Sequence, residues 1–114
     1  MDTVWYIEPT DHNCYNVEEL NGKFFLSEDA AYNALKEKLL EKYPRASKRY
    51  LHDEEKFEEL IQEVEDYGLW GSPRAFRKHF KGKYSQLAFV DNYNFYHSWY
   101  NNVVKKLDLY KTDK

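Results

Sequence analysis

The apolar positions of this chain come in short runs whose spacing changes along the sequence, which is the pattern of a mixed α and β protein. Residues 3–8 contain Val4, Trp5, Tyr6 and Ile7, β-branched and aromatic side chains that suit a pleated surface, and Pro9 follows without an N–H for a ladder. This predicts a strand. A second short strand over 14–18, the tight-turn pair Asn21-Gly22 and a return strand over 23–26 would complete a small antiparallel arrangement. Ser27 stands where a helix N-cap belongs, with Glu28 and Asp29 on the first turn, where the macrodipole favours negative charge. Ala31, Leu35 and Leu39 recur at helical spacing, and Pro44 closes a helix over 28–43 because the residue before proline avoids helical dihedrals.

A polar connection over 45–51 leads to Asp53, the cap of a second helix whose apolar stripe is Phe57, Leu60, Ile61 and Val64. Gly68 is placed for a left-handed C-terminal residue, and Leu69 for folding back onto Val64. Ser72-Pro73 opens a short third helix that carries Phe76 and Phe80 and ends at Gly82. Residues 87–90 are an uninterrupted apolar run and predict a buried strand. Beyond them Tyr96, Trp99, Tyr100, Val103, Val104 and Leu107 match a helix capped by Asp91, whereas Tyr93, Phe95, His97 and Trp99 alternate as a strand would. The helical pattern runs longer and is preferred.

The expected fold is therefore α+β: a small antiparallel sheet of three to four strands packed against three to four helices as a single layer pair, in one compact domain over residues 1–114. Its expected core is Trp5, Ile7, Phe25, Leu35, Leu39, Leu60, Ile61, Val64, Leu87 and Phe89. A chain of 114 residues suits one such core, and 42% apolar with 32% charged residues excludes a disordered tail. The aromatic share of 18% exceeds what core filling needs, so some rings are expected at the surface, where Tyr and Trp commonly serve binding. A single cysteine, Cys14, cannot pair internally, and no stretch has the length or apolarity of a signal peptide core or a membrane span. A reducing, cytoplasmic location and no membrane association are the expectation.

Charge is segregated along the chain. Residues 53–66 hold eight acids against Lys56 alone, and residues 74–83 hold five bases and no acid. The formal net charge of −3 conceals this arrangement while arguing against a general polyanion binder. The acidic segment is either neutralised by the adjacent bases or free as a docking face for a basic protein partner, with Glu55, Glu59, Glu63 and Asp66 as its contact residues. Arg74, Arg77, Lys78, Lys81 and Lys83, with a second cluster at Arg45, Lys48 and Arg49, stand among aromatic residues. Bases that neutralise phosphate beside rings that stack on nucleobases are the chemistry of RNA or single-stranded DNA binding. Phe76 and Phe80, four apart on a helix, are more simply core anchors, and no helix-turn-helix or RNP-type signature accompanies them.

Catalytic chemistry finds little material. Asp11, His12 and Cys14 lack the fourth ligand and the paired cysteines of a zinc site, so no metal and no cofactor is predicted. Cys14 with His97 or His79 would make a nucleophile and base, but nothing in the sequence brings them together, and His52 only precedes a helix cap. Four glycines leave no phosphate-cradling loop. No catalytic residue is predicted.

The opening VWYIEP…NGKFFLSEDAAYNALKEKL, within residues 4–40, together with short length, abundant Tyr, Asn and Lys and scarce Gly and Pro, resembles small accessory proteins of phages and mobile elements. That resemblance implies a protein that binds and blocks a host factor, such as a component of antiviral defence, in the host cell cytoplasm. It assigns no functional residues. The expected function is a non-enzymatic protein-binding inhibitor or modulator acting through the acidic helix and surface aromatics. An RNA or single-stranded DNA binding module is the alternative, and a small cryptic hydrolase or nuclease the third.

Overall fold

The structure is a computed structural model that describes residues 3–9, 17–51 and 53–109. Asp11, His12, Cys14, His52 and most of the strand expected over 14–18 lie outside those residues. Strand β1 (Thr3–Pro9) forms where its β-branched and aromatic run places it. Its partner is the far end of the chain, β2 (Asn102–Asp108), antiparallel, with Thr3 opposite Asp108 and Pro9 opposite Asn102. Between them come α1 (Glu28–Lys42), α2 (Glu54–Asp66), α3 (Pro73–Phe80) and α4 (Gln86–Asn101). The class is α+β, with four α-helices and a two-stranded antiparallel sheet among the described residues.

The sheet is smaller than the expected three to four strands. Val17 leads into a single 3-10 turn, Glu18–Leu20, instead of a strand, and the return segment after Gly22 touches β1 only at Phe25. There Trp5 and Phe25 exchange both backbone hydrogen bonds, at 2.9 and 2.8 Å. One bridge replaces the expected strand.

The described residues group into two compact units, one from Met1–Lys42 with His97–Lys114 and one from Tyr43–Tyr96. In the first, α1 packs on both strands and buries Ala31, Leu35 and Leu39 at the spacing its sequence dictates. Ser27 caps it, accepting the Ala30 N–H at 3.0 Å. Thr3 Oγ1 donates to Asp108 Oδ1 at 2.9 Å, and Lys105 pairs with Glu8, so the β1–β2 ladder is tied by side chains at both ends.

The second unit is built on rings. Phe57, Leu60, Val64, Leu69, Phe76 and Phe89 form its buried cluster, with Tyr50, Phe80, Tyr84, Tyr93 and Tyr96 packed around it. The α2 terminator is the predicted one: Gly68 takes φ 61° and the Leu69 N–H donates back to the Val64 carbonyl at 2.9 Å. Asp53 caps α2 and Ser72 caps α3, each accepting an N–H three residues on, at 2.9 and 3.1 Å. At the end of α3 two successive residues are left-handed, Lys81 at φ 55° and Gly82, where the helix was expected to end, at φ 75°.

Residues 87–90 are helical and not a strand. Ser85 accepts the Ala88 N–H at 3.0 Å and so caps α4 six residues earlier than Asp91 was expected to. Phe89 is buried, but Leu87 faces outward and leaves the expected core at 56% exposed. Of the other expected core residues, Ile7, Leu35, Leu39, Leu60 and Val64 are buried, and Trp5, Phe25 and Ile61 are partly so. Helix α4 stops at Asn101, and Val103, Val104 and Leu107 belong to β2. Asn102 makes the change of conformation: its Nδ2 donates to the Ser98 carbonyl at 2.6 Å, replacing the backbone donor that the extended chain no longer offers.

Asp91 and Asn92 are buried in the second unit and hold the connection after Tyr43. Asp91 Oδ2 accepts the Arg45 N–H at 2.8 Å and lies 3.4 Å from the Arg45 guanidinium. Asn92 accepts the Ser47 N–H at 2.9 Å, donates to the Ser47 carbonyl at 3.0 Å and accepts the Tyr84 hydroxyl at 2.5 Å. Burial, with Tyr50 and Asp91 beside it, pushes the Tyr84 phenol far above its ordinary pKa, which keeps it a donor.

Two expectations follow. Asn92→Ala leaves the Ser47 peptide groups and the Tyr84 hydroxyl without partners and should cost about 2–3 kcal/mol in urea denaturation; a loss under about 0.5 kcal/mol would mean that packing alone holds the connection. Lys81→Gly removes a side chain from a left-handed position and should raise stability by about 0.5–1 kcal/mol, the steric relief exceeding the added entropy of the unfolded chain. An unchanged or lowered midpoint would contradict that balance.

Candidate functional site

Helix α2 points Phe57, Leu60 and Val64 into the core, so helical geometry turns Glu55, Glu59, Gln62 and Asp66 to the opposite side. Glu55, Glu59 and Asp66 are all exposed. Gln62 Nε2 donates to Asp66 Oδ1 at 2.8 Å, which aligns that carboxylate along the same face. Glu58, on one flank, accepts the Tyr96 hydroxyl at 2.6 Å. Glu63, on the other flank, is half-buried and lies 3.2 Å from His79 Nε2. Of the four carboxylates expected in the docking face, the structure sets Glu55, Glu59 and Asp66 together and turns Glu63 inward to α3.

Arg74, Arg77 and Lys78 lie on the side of α3 opposite buried Phe76, and Lys81 follows just past the helix end; all four are exposed, as is Lys83. Among the described residues no ion pair joins these bases to the acids of residues 53–66. The link between the two segments is the Glu63–His79 contact, together with His79 lying 4.7 Å from the Tyr67 ring. The last turn of α2 contains Glu65 and Asp66 and no base, although the macrodipole disfavours each acid there by about 0.3–1 kcal/mol.

The second basic cluster divides. Arg45 is committed to Asp91, whereas Lys48 and Arg49 sit exposed on the 3-10 turn Lys48–Tyr50, the Arg49 guanidinium 5.8 Å from the centre of the Tyr50 ring. The rings interleaved with the bases of α3 face inward: Phe76 is fully buried, and Phe80 and Tyr84 pack on it at 4.6 and 6.0 Å.

Three surface features escape the sequence pattern. Tyr67 and Trp70 follow directly on α2 and are 66% and 40% exposed, with Trp70 held edge-on against Phe89 and Tyr93. A groove of about 400 Å³ lies between Pro73, Arg77, Tyr84 and Leu87, which accounts for the outward Leu87. In the other unit Phe24 and Leu26 project from the sheet at 59% and 83% exposure, with Phe24 6.2 Å from the Tyr6 ring. The aromatic surplus in the composition was the only signal of such rings.

Among the described residues no three His, Cys, Asp or Glu side chains are grouped to hold a metal ion, and no helix is long and apolar enough to cross a membrane. No family model matches the chain, and no curated protein or solved structure is significantly similar to it.

Since no base among the described residues forms an ion pair with Glu59 or Asp66, reversing both to lysine should leave the thermal midpoint unchanged or raise stability by up to about 1 kcal/mol, because Asp66→Lys gives the helix end its preferred charge. A clear fall in the midpoint would reveal a stabilising role for those carboxylates.

Proposed function

We propose that this chain is a non-enzymatic protein-binding module that docks a basic partner surface on α2, as an inhibitor or modulator of that partner. The observation that supports it is the exposed row of Glu55, Glu59 and Asp66, unmatched by any base within the described residues and carried to the helix C-terminus against the macrodipole. Tyr67 and Trp70, the exposed rings that follow α2 in the chain, supply aromatic surface of the kind interfaces favour, and the packing of Trp70 on Phe89 and Tyr93 lowers the entropy lost on contact. In this proposal the acids act mainly on association rate and orientation, while the rings supply buried apolar area. The resemblance of residues 4–40 to phage and mobile-element accessory proteins supports a host factor or defence component as the target, met in the host cytoplasm.

The unpaired bases around Arg77 favour one alternative, a module for RNA or single-stranded DNA. Its phosphate contacts are available, but the inward packing of Phe76, Phe80 and Tyr84 withdraws the rings that would stack on bases.

The test compares a fluorescent Lys/Arg-rich peptide with a single-stranded oligonucleotide of equal length. The wild-type chain should bind the peptide, and Glu55→Lys with Glu59→Lys should weaken that binding by about tenfold, roughly 1.4 kcal/mol. Preference for the oligonucleotide, abolished by Arg77→Glu with Lys81→Glu and untouched by the acidic reversal, would replace this function with the nucleic acid one.

A further inference from the structure

The acidic row of α2 and the basic row of α3 belong to the same compact unit, yet they do not meet. Each is a stripe of like charge on the outer side of an amphipathic helix. Along α2 the acids stand at 55, 59 and 66, and along α3 the bases stand at 74, 77, 78 and 81, the first three on the helix and Lys81 just beyond it. At about 1.5 Å per residue the acidic row is about 16 Å long and the basic row about 10 Å, so the second fits within the first. The local balances are opposite and similar in size, eight acids against one base and five bases against none.

We infer that the free protein pairs with a second copy of itself, the carboxylates of Glu55, Glu59 and Asp66 of one copy docking on Arg74, Arg77, Lys78 and Lys81 of the other, with the reverse contact made at the same time. The inference rests on α2 being a docking face and names its first occupant. Charge complementarity selects that occupant: every molecule carrying the acidic row also carries a basic row short enough to lie within it. Both rows lie on one compact unit, so in a two-fold arrangement the two contacts form together and the pair closes, with no row left open for a filament. A net charge of only −3 opposes the approach of two copies very little.

Exposed ion pairs are individually weak and are screened by salt, so the pair is a concentration-dependent one that dissociates as ionic strength rises. This suits a protein whose α2 must be released to a target: a basic partner competes directly with the second copy for the same carboxylates.

Sedimentation equilibrium of the full chain, from low micromolar to millimolar concentration, tests the inference. At low salt the mass should rise from 13.9 kDa towards twice that value, and high salt should return it to 13.9 kDa. Glu55→Lys/Glu59→Lys/Asp66→Lys and Arg74→Glu/Arg77→Glu/Lys78→Glu/Lys81→Glu should each stay monomeric, while an equimolar mixture of the two variants should associate, because one now has two basic rows and the other two acidic rows. If a reversal lowers the thermal midpoint, the neutral forms E55Q/E59Q and R77Q/K81Q should still weaken the association. A wild-type chain that remains at 13.9 kDa at low salt, a reversed variant that associates as the wild type does, or a mixture that stays monomeric would each overturn the inference. The two proposals fail separately. A monomeric wild type whose basic-peptide binding is lost on acidic reversal keeps the docking function without the pairing, whereas an associating mixture with peptide binding indifferent to that reversal keeps the pairing without the docking function.

Discussion

Asp91 and Asn92 are consecutive polar residues buried in the middle of a helix between the buried rings of Phe89 and Phe95, and polar burial of this kind is costly unless the hydrogen bonds are made. The Asn92 side chain behaves as an extra peptide group: it takes the Ser47 N–H and returns its own N–H to the Ser47 carbonyl, the two contacts that a neighbouring strand would make. Asp91 fixes the chain two residues earlier through Arg45. Adjacent residues on a helix point about 100° apart, so holding both at once fixes the rotation of α4 as well as the path of the connection. The Lys48–Tyr50 turn then sits where the Tyr50 ring reaches Phe57 and Tyr84, at 5.9 and 5.4 Å, and the aromatic cluster closes around it. A polar pair thereby sets the register of an apolar core. Hydrophobic contacts alone, being non-directional, leave such a register less sharply defined.

The charged faces follow from the same packing. Once Phe57, Leu60 and Val64 face the cluster from α2 and Phe76 from α3, the remaining arcs of both helices carry whatever the sequence places there, and it places acids on one and bases on the other. His79, on the flank of α3 nearest α2, is the residue that reaches across, and Glu63 is the acid it meets. An amphipathic helix needs a polar outer face for solubility but does not need it to be of one sign. Nor does it need acids in its last turn, where capping a carbonyl end with carboxylates opposes the helix dipole. This departure from local preference, and not the charge count, is the ground on which a partner is proposed.

How far the sequence revealed the fold depended on whether a signal was local. Ser27, Asp53 and Ser72 as caps, Gly68 as terminator, and the stripes of α1 and α2 are readable because each rests on residues within two turns of one another. The acidic face was legible for the same reason: knowing the inner stripe of α2 determines the outer one, and only the flank position of Glu63 misled. Residues 86–108 were not legible. The helical spacing of Tyr96, Trp99, Tyr100, Val103 and Val104 runs straight across a boundary that is set by the Asn102 side chain and by pairing with β1 nearly a hundred residues away. The β-branched pair Val103-Val104 was the one local warning, since such residues favour strands. Residues 87–90 misled through apolarity, because a short apolar run is compatible with a strand or with a buried helical turn. The groove beside Leu87 was beyond reach for a further reason: Pro73, Arg77 and Leu87 come together only when α3 and α4 have packed.

The same distinction between local pattern and tertiary placement separates the two binding chemistries. In sequence, bases and rings alternate along residues 74–84, which is the composition of a single-strand binding surface; in space the helix sorts them, sending Phe76 to the core and Arg74, Arg77 and Lys78 to the outside. Stacking contributes about 1–3 kcal/mol per base, and a surface that keeps only its cations retains the salt-sensitive, sequence-blind part of nucleic acid affinity. Tyr67 and Trp70 follow the acidic helix in the chain, and past the Gly68 terminator they lie against the unit, Trp70 on Phe89 of α4 and Tyr67 beside His79 of α3. Folding therefore withdraws Phe76, Phe80 and Tyr84 from the basic row and leaves Tyr67 and Trp70 as the exposed rings that follow α2.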